Sequence, residues 1–232
     1  MTATEDLFTP IHKAIRSMIY ELGNRLQRTD FADPVASTAV LADLEHEFSG
    51  AVSSACILCL LHKHGGDEEA VPFPAMMSFD GALIRTLIEE HQVFSRQLAA
   101  ISTLAHQLAQ VHLPEARIDI GRRINQEVNG FFAGYLAHMN KEESSLVPAM
   151  REHFTDDQVR AMRSKIMGAM PRDQFAAYLR WMLPSLSLSE LAGMLMGIKQ
   201  GAPPELFRFV AGIGEGHVEP DRWTAVRARV GF

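Results

Sequence analysis

Residues 64 to 76, His64-Gly-Gly-Asp-Glu68-Glu69-Ala-Val-Pro-Phe-Pro74-Ala75-Met76, return 74 residues later as His138-Met-Asn-Lys-Glu142-Glu143-Ser-Ser-Leu-Val-Pro148-Ala149-Met150. Both copies read H-x-x-x-E-E-x-x-x-[FV]-P-A-M, six identities in thirteen positions with Phe73 and Val147 as an apolar match. A histidine and a glutamate four residues apart lie on one face of a helix, close enough to share a bound ion. The chain must therefore fold so that two helices bring equivalent faces to one depth.

The rest of the sequence supplies such a frame. Strict apolar alternation bounded by hairpin turns is missing, and helical spacing dominates. A first helix is expected from Phe8 to Arg28, with Ile11, Ile15, Met18, Ile19 and Leu22 on one side. Asp33 and Pro34 read as N-cap and first residue of a second helix. That helix carries Val40, Leu44, Phe48, Val52, Leu58 and Leu61 up to the first copy, where Pro72 and Pro74 stop it. A third helix starts near Asp80 and ends near Val111; a fourth runs from Glu115 to His153. Four long helices with short connections spell an all-α, up-down-up-down four-helix bundle. In it the second and fourth helices run parallel, which sets the two copies at the same level.

After His153 prolines cut the chain into short helices. Thr155 with Gln158 and Ser187 with Glu190 form capping boxes. The expected organisation is a bundle over residues 1–154 and a helical appendage over 155–232, packed on the bundle because it is rich in Leu, Met, Phe and Trp.

The first and third helices each offer one histidine at a matching depth, His12 and His91. Four neutral imidazoles with Glu68 and Glu142 carry two negative charges, which a bundle core tolerates only if cations offset them. Imidazole suits iron, zinc, copper or nickel, and a carboxylate can bridge two ions. Two ions sharing both carboxylates would each retain open positions.

This arrangement, H … H-x-x-x-E … H … H-x-x-x-E, resembles the hemerythrin-like (HHE cation-binding) domains over residues 8–153. The resemblance implies a four-helix bundle holding two non-haem iron ions that bind dioxygen, nitric oxide or peroxide, or that handle iron. It also implies His12 and His64 as terminal ligands of one iron, His91 and His138 of the other, and Glu68 and Glu142 as bridges. Oxygen carriers of this group have a second histidine one turn after the third-helix one, where this chain has Ser95, and an aspartate where it has Glu143. The bacterial sensor-, repair- and iron-handling members, which are not carriers, are the nearer comparison.

Other features narrow the function by exclusion. A net charge of -6 gives no electrostatic reason to expect nucleic acid or an anionic membrane as partner. No apolar run approaches a membrane span, and the acidic N-terminus is unlike a signal peptide, so a cytoplasmic protein is expected. Cys56 and Cys59 read as core residues, and the methionines of the tail as core or interface filler. His62, Asp67, Glu69 and Glu143 read as solvated groups, or as outer acids that fix a histidine tautomer. His46, His106, His112, His153 and His217 have no partner at ligand spacing, apart from Asp43 before His46. Iron storage, or a metal-stabilised interaction module with 155–232 as a homodimer surface, are the rival readings. Gly65 and Gly66 should make the first copy the softer half of the site, so replacing both with alanine should tighten metal retention.

Overall fold

A computed structural model describes residues 5–44 and 56–232. Among the described residues the regular structure is all helix: α1 (Thr9–Arg28), α2 (Pro34–Leu44), α3 (Ile57–Ala70), α4 (Pro72–Met76), α5 (Gly81–Gln110), α6 (Pro114–His153), α7 (Asp156–Gly168), α8 (Arg172–Ser185), α9 (Leu188–Gly201), α10 (Pro204–His217) and α11 (Pro220–Val230). The long helices begin where the sequence offers caps. Asp33 accepts from Val35 N ahead of α2, Asp80 accepts from Leu83 N ahead of α5, and prolines occupy the first turn of α1 and α6.

The second expected helix is where sequence and structure part. Cys56 is extended (φ -70°, ψ 122°) and its sulfur accepts from Cys59 N, so α3 starts at Ile57 rather than continuing from α2. Phe48, Val52 and His46 lie outside the described residues. Pro72 also does more than stop α3: Val71 (φ -130°, ψ -70°) breaks the helix, and Pro72 opens the short α4. In the second copy no break occurs, and α6 runs through Pro148 to His153.

The chain forms two compact units, one from residues up to Phe8 with Met18–Ala169, the other from Thr9–Ser17 with Met170–Phe232. In the first unit α5 lies along α6, and one apolar cluster collects Phe73, Met76, Val147 and Met150. These are the apolar ends of the two sequence copies, so the repeat closes on itself around Phe8, Ile84, Leu87, Leu146 and Val159. Near the start of α6, the buried Arg117 donates to the carbonyls of Phe31, Leu108 and Val111 and to Ser37 Oγ, capping the end of α5. In the second unit, Leu179, Leu183, Leu191, Leu195, Val210, Trp223 and Val226 form a separate core, with Met182 and Met194 packed against it. Both expected capping boxes are formed, at Thr155 and at Ser187. Of the tail methionines expected as core or interface filler, Met167 and Met196 are exposed.

Candidate metal centre

His64 and Glu68 project from α3, His91 from α5, His138 and Glu142 from α6, and all five are buried. Within each copy the four-residue spacing does its work: His64 Nε2 lies 3.1 Å from Glu68 Oε1, and His138 Nε2 lies 3.2 Å from Glu142 Oε1. The copies then meet across helices. His91 Nε2 is 2.9 Å from His138 Nε2 and 3.5 Å from Glu68 Oε2. One ligand atom from each of Glu68, His91, His138 and Glu142 falls within 4.8 Å of the others. His12 is wholly buried on α1, in the Thr9–Ser17 segment that groups with the second unit.

The outer edges of two rings explain which atoms face inward. His91 Nδ1 is 2.9 Å from Glu69 Oε1, and His138 Nδ1 is 2.8 Å from Glu90 Oε2. A carboxylate can only accept, so a neutral His91 and a neutral His138 would each carry the proton on Nδ1 and turn the Nε2 lone pair inward. Two lone pairs at 2.9 Å, beside two buried carboxylates, form a pocket of acceptors that needs positive charge. Imidazole nitrogen with carboxylate oxygen is the donor chemistry of a transition-metal cation, so the residues fit such an ion. The protein's own charges respond in the same sense. Burial would lower the His91 pKa, yet Glu68 first, then Glu69 and Glu142, outweigh it and raise it. Burial likewise pulls Glu90 up, but Lys141 and His138 hold it below the usual carboxylate range.

The walls are aromatic. Phe73 stacks on His91 (5.5 Å, 12°), Phe94 meets His138 edge-on (5.3 Å, 88°), and Phe131 and Tyr135 extend the ring cluster along α6. Tyr135 satisfies its hydroxyl by donating to Leu61 O on α3, tying the helices that carry the two copies. Gly65 has a specific job there: a Cβ on it would meet three atoms of the His91 ring, each at 3.3 Å, whereas one on Gly66 would meet nothing within 4 Å. The ring of His91 lies against the α3 backbone because residue 65 has no side chain.

Several sequence readings find their place. Glu69, read as solvated or as an outer acid, is the latter, holding His91. Ser95 donates to His91 O on its own helix. Cys56 and Cys59 are buried thiols, and the hydrogen bond to Cys59, then burial, push the Cys56 pKa upward, away from a reactive thiolate. His106 and His217 donate to carbonyls of their own helices, and His153 stacks on Phe79. Glu90 and Lys141 escaped sequence reasoning. The only signal was that both neighbour a ligand candidate in sequence, and neither spacing shows that Glu90 reaches from α5 to a histidine on α6.

A family model described as the hemerythrin HHE cation binding domain matches residues 4–150, ending on the last residue of the second copy. No curated protein and no solved structure matches the chain. Among the described residues, no helix is long and apolar enough to cross a membrane.

Proposed function

The chain belongs to the hemerythrin HHE cation-binding domain family, and from that premise we propose that its cations are a pair of non-haem irons that bind or react with a small ligand such as dioxygen, nitric oxide or peroxide. The observation that carries this is the convergence of Glu68, His91, His138 and Glu142 in one buried cluster of imidazole and carboxylate groups. His91 and His138 would hold one iron, His64 with His12 from the resemblance would hold the other, and Glu68 and Glu142 would supply carboxylate oxygens to the pair. When bound, the iron pair supplies the redox chemistry and the positions at which a diatomic or peroxide attaches.

The residues around the cluster do the rest. Phe73, Phe94, Phe131 and Tyr135 keep the surroundings apolar, which favours small uncharged ligands over bulk water. Glu69 and Glu90 keep the two Nδ1 protons in place, so the inward nitrogens stay available as donors. With Ser95 one turn after His91, α5 offers the cluster one imidazole rather than two, which favours a sensing or reacting centre over a reversible carrier. Loading the metal-free protein with ferrous iron and recording spectra under oxygen, nitric oxide and peroxide tests the proposal. The expected result is about two irons per chain and near-ultraviolet bands that change with each ligand. Stoichiometric zinc with no uptake of iron would overturn it.

A further inference from the structure

Both histidines at the centre of the acceptor cluster are held from behind by an acid borrowed from another helix. Glu69 of α3 reaches His91 of α5 at 2.9 Å, and Glu90 of α5 reaches His138 of α6 at 2.8 Å. Each acid is the sequence neighbour of a ligand candidate, Glu69 of Glu68 and Glu90 of His91, and each serves a histidine on the next helix. The two supports differ in character. Glu69 is 42% exposed in its side chain and works alongside Gly65 and Phe73, which fix the plane of the His91 ring. Glu90 is 30% exposed and is itself anchored by Lys141, four residues before which stands Ala137 and three before which stands His138 on the same helix. The repeated motif thus supplies ligands twice but outer support in two ways: in the first copy the residue after the ligand glutamate holds a foreign histidine, while in the second copy Lys141 holds the acid that holds its own.

We propose that Glu69 and Glu90 are positioning residues that lock His91 and His138 as Nδ1–H tautomers and so present both Nε2 atoms to a single cation. Neither acid touches that cation. Each acts through its histidine, by fixing the ring and strengthening the inward nitrogen as a donor. The inference rests on the family reading of the site and adds to it the residues that set how firmly this position holds metal.

Cobalt(II) serves as the probe, because its visible spectrum reports ligand number and its release to a chelator reports retention. The full chain is compared with Glu69→Ala, Glu90→Ala, the Gln version of each, and Glu89→Ala, which removes an exposed acid from α5 that holds neither histidine. Nitrogen NMR of the metal-free proteins reads the histidine tautomers, and thermal melting checks the fold. The Ala variants should release cobalt about 10- to 100-fold faster, show a changed spectrum and lose the single Nδ1–H form, with metal-free melting near the parent. Gln, whose side-chain oxygen still accepts from Nδ1–H, should recover most of the retention, and Glu89→Ala should match the parent. Equal release from parent and both Ala variants overturns the proposal, as does equal weakening by Glu89→Ala, which would reduce the effect to net charge. Ala variants that melt early in the metal-free state and are not rescued by Gln overturn it too. A parent that takes up neither cobalt nor iron fails the family reading itself, a result distinct from all of these.

Discussion

Gly65 and Gly66 separate two effects that the sequence could not. Glycine inside a helix costs about 1 kcal/mol relative to alanine, which alone makes the double alanine variant look like an improvement. Gly66 obeys that reasoning, since a Cβ there meets nothing within 4 Å. Gly66→Ala should raise thermal stability by about 0.5–1 kcal/mol and leave metal binding unchanged. Gly65 does not, because its missing side chain is what lets the His91 ring lie on α3. Gly65→Ala should displace that ring by a few tenths of an ångström and speed metal release, which chelator competition would show. A Gly65→Ala protein with parental release would contradict this placement of His91. The double alanine variant, expected from the sequence to tighten the site, thus combines two different effects at adjacent residues. Glu190 gives a separate test at the same scale. Its hydrogen bond with Lys13, then those with Ser187, bring its pKa down to about 2. A depressed carboxylate stabilises the fold above its ordinary range near 4.5 and loses that contribution as pH falls toward 2. Because the pair is partly exposed, Glu190→Gln should cost no more than about 1 kcal/mol at neutral pH, and the two proteins should melt alike near pH 2.

Among the elements, helix ends were the most legible part of the fold. Asp33, Asp80, Pro114, Thr155 and Ser187 are strong local punctuation, and α2, α5, α6, α7 and α9 start beside them. The start of α3 was not legible. Ile57 to Leu61 are buried on every side, so no periodicity marks a boundary, and Cys56 is a weak cap by residue type. The ligand candidates were legible because i, i+4 spacing is a local rule. Glu90, Gly65 and Arg117 were not, because their partners lie on other helices or on the loops between them, and no spacing within one helix encodes them. Arg117 shows what such a residue is worth to an element. Its guanidinium satisfies three carbonyls and a hydroxyl from inside the protein. Arg117→Met leaves those acceptors without their donor and should destabilise the bundle by at least about 2 kcal/mol, whereas Arg122→Met, at an exposed ion pair, should change stability by less than about 0.5 kcal/mol. In the second unit, a Cβ on Gly214 would come within 2.5 Å of the Trp223 ring. Gly214→Ala should therefore loosen the α10–α11 packing, readable as a red-shifted tryptophan emission.

For the whole molecule, the two units share α1: its segment Thr9–Ser17 groups with Met170–Phe232. Lys13 pairs with Glu190 and Ser17 Oγ lies 2.9 Å from Ser185 Oγ, so the C-terminal helices hold the turn that carries His12. Removing residues 170–232 takes those partners from α1 and should lower thermal stability. A truncated chain that melts like the parent would show that this segment of α1 needs no such support. In the proposed function the repeated His-x-x-x-Glu turns make one metal centre from two copies. Metal content per chain, measured after iron loading and desalting in the parent and in His138→Ala combined with Glu142→Ala, tests it most directly. On the proposed function, about two irons are expected in the parent and loss of both in the double variant, because Glu142 would serve the pair and His138 one member. Unchanged iron content in the double variant, or none in a folded parent, would contradict it.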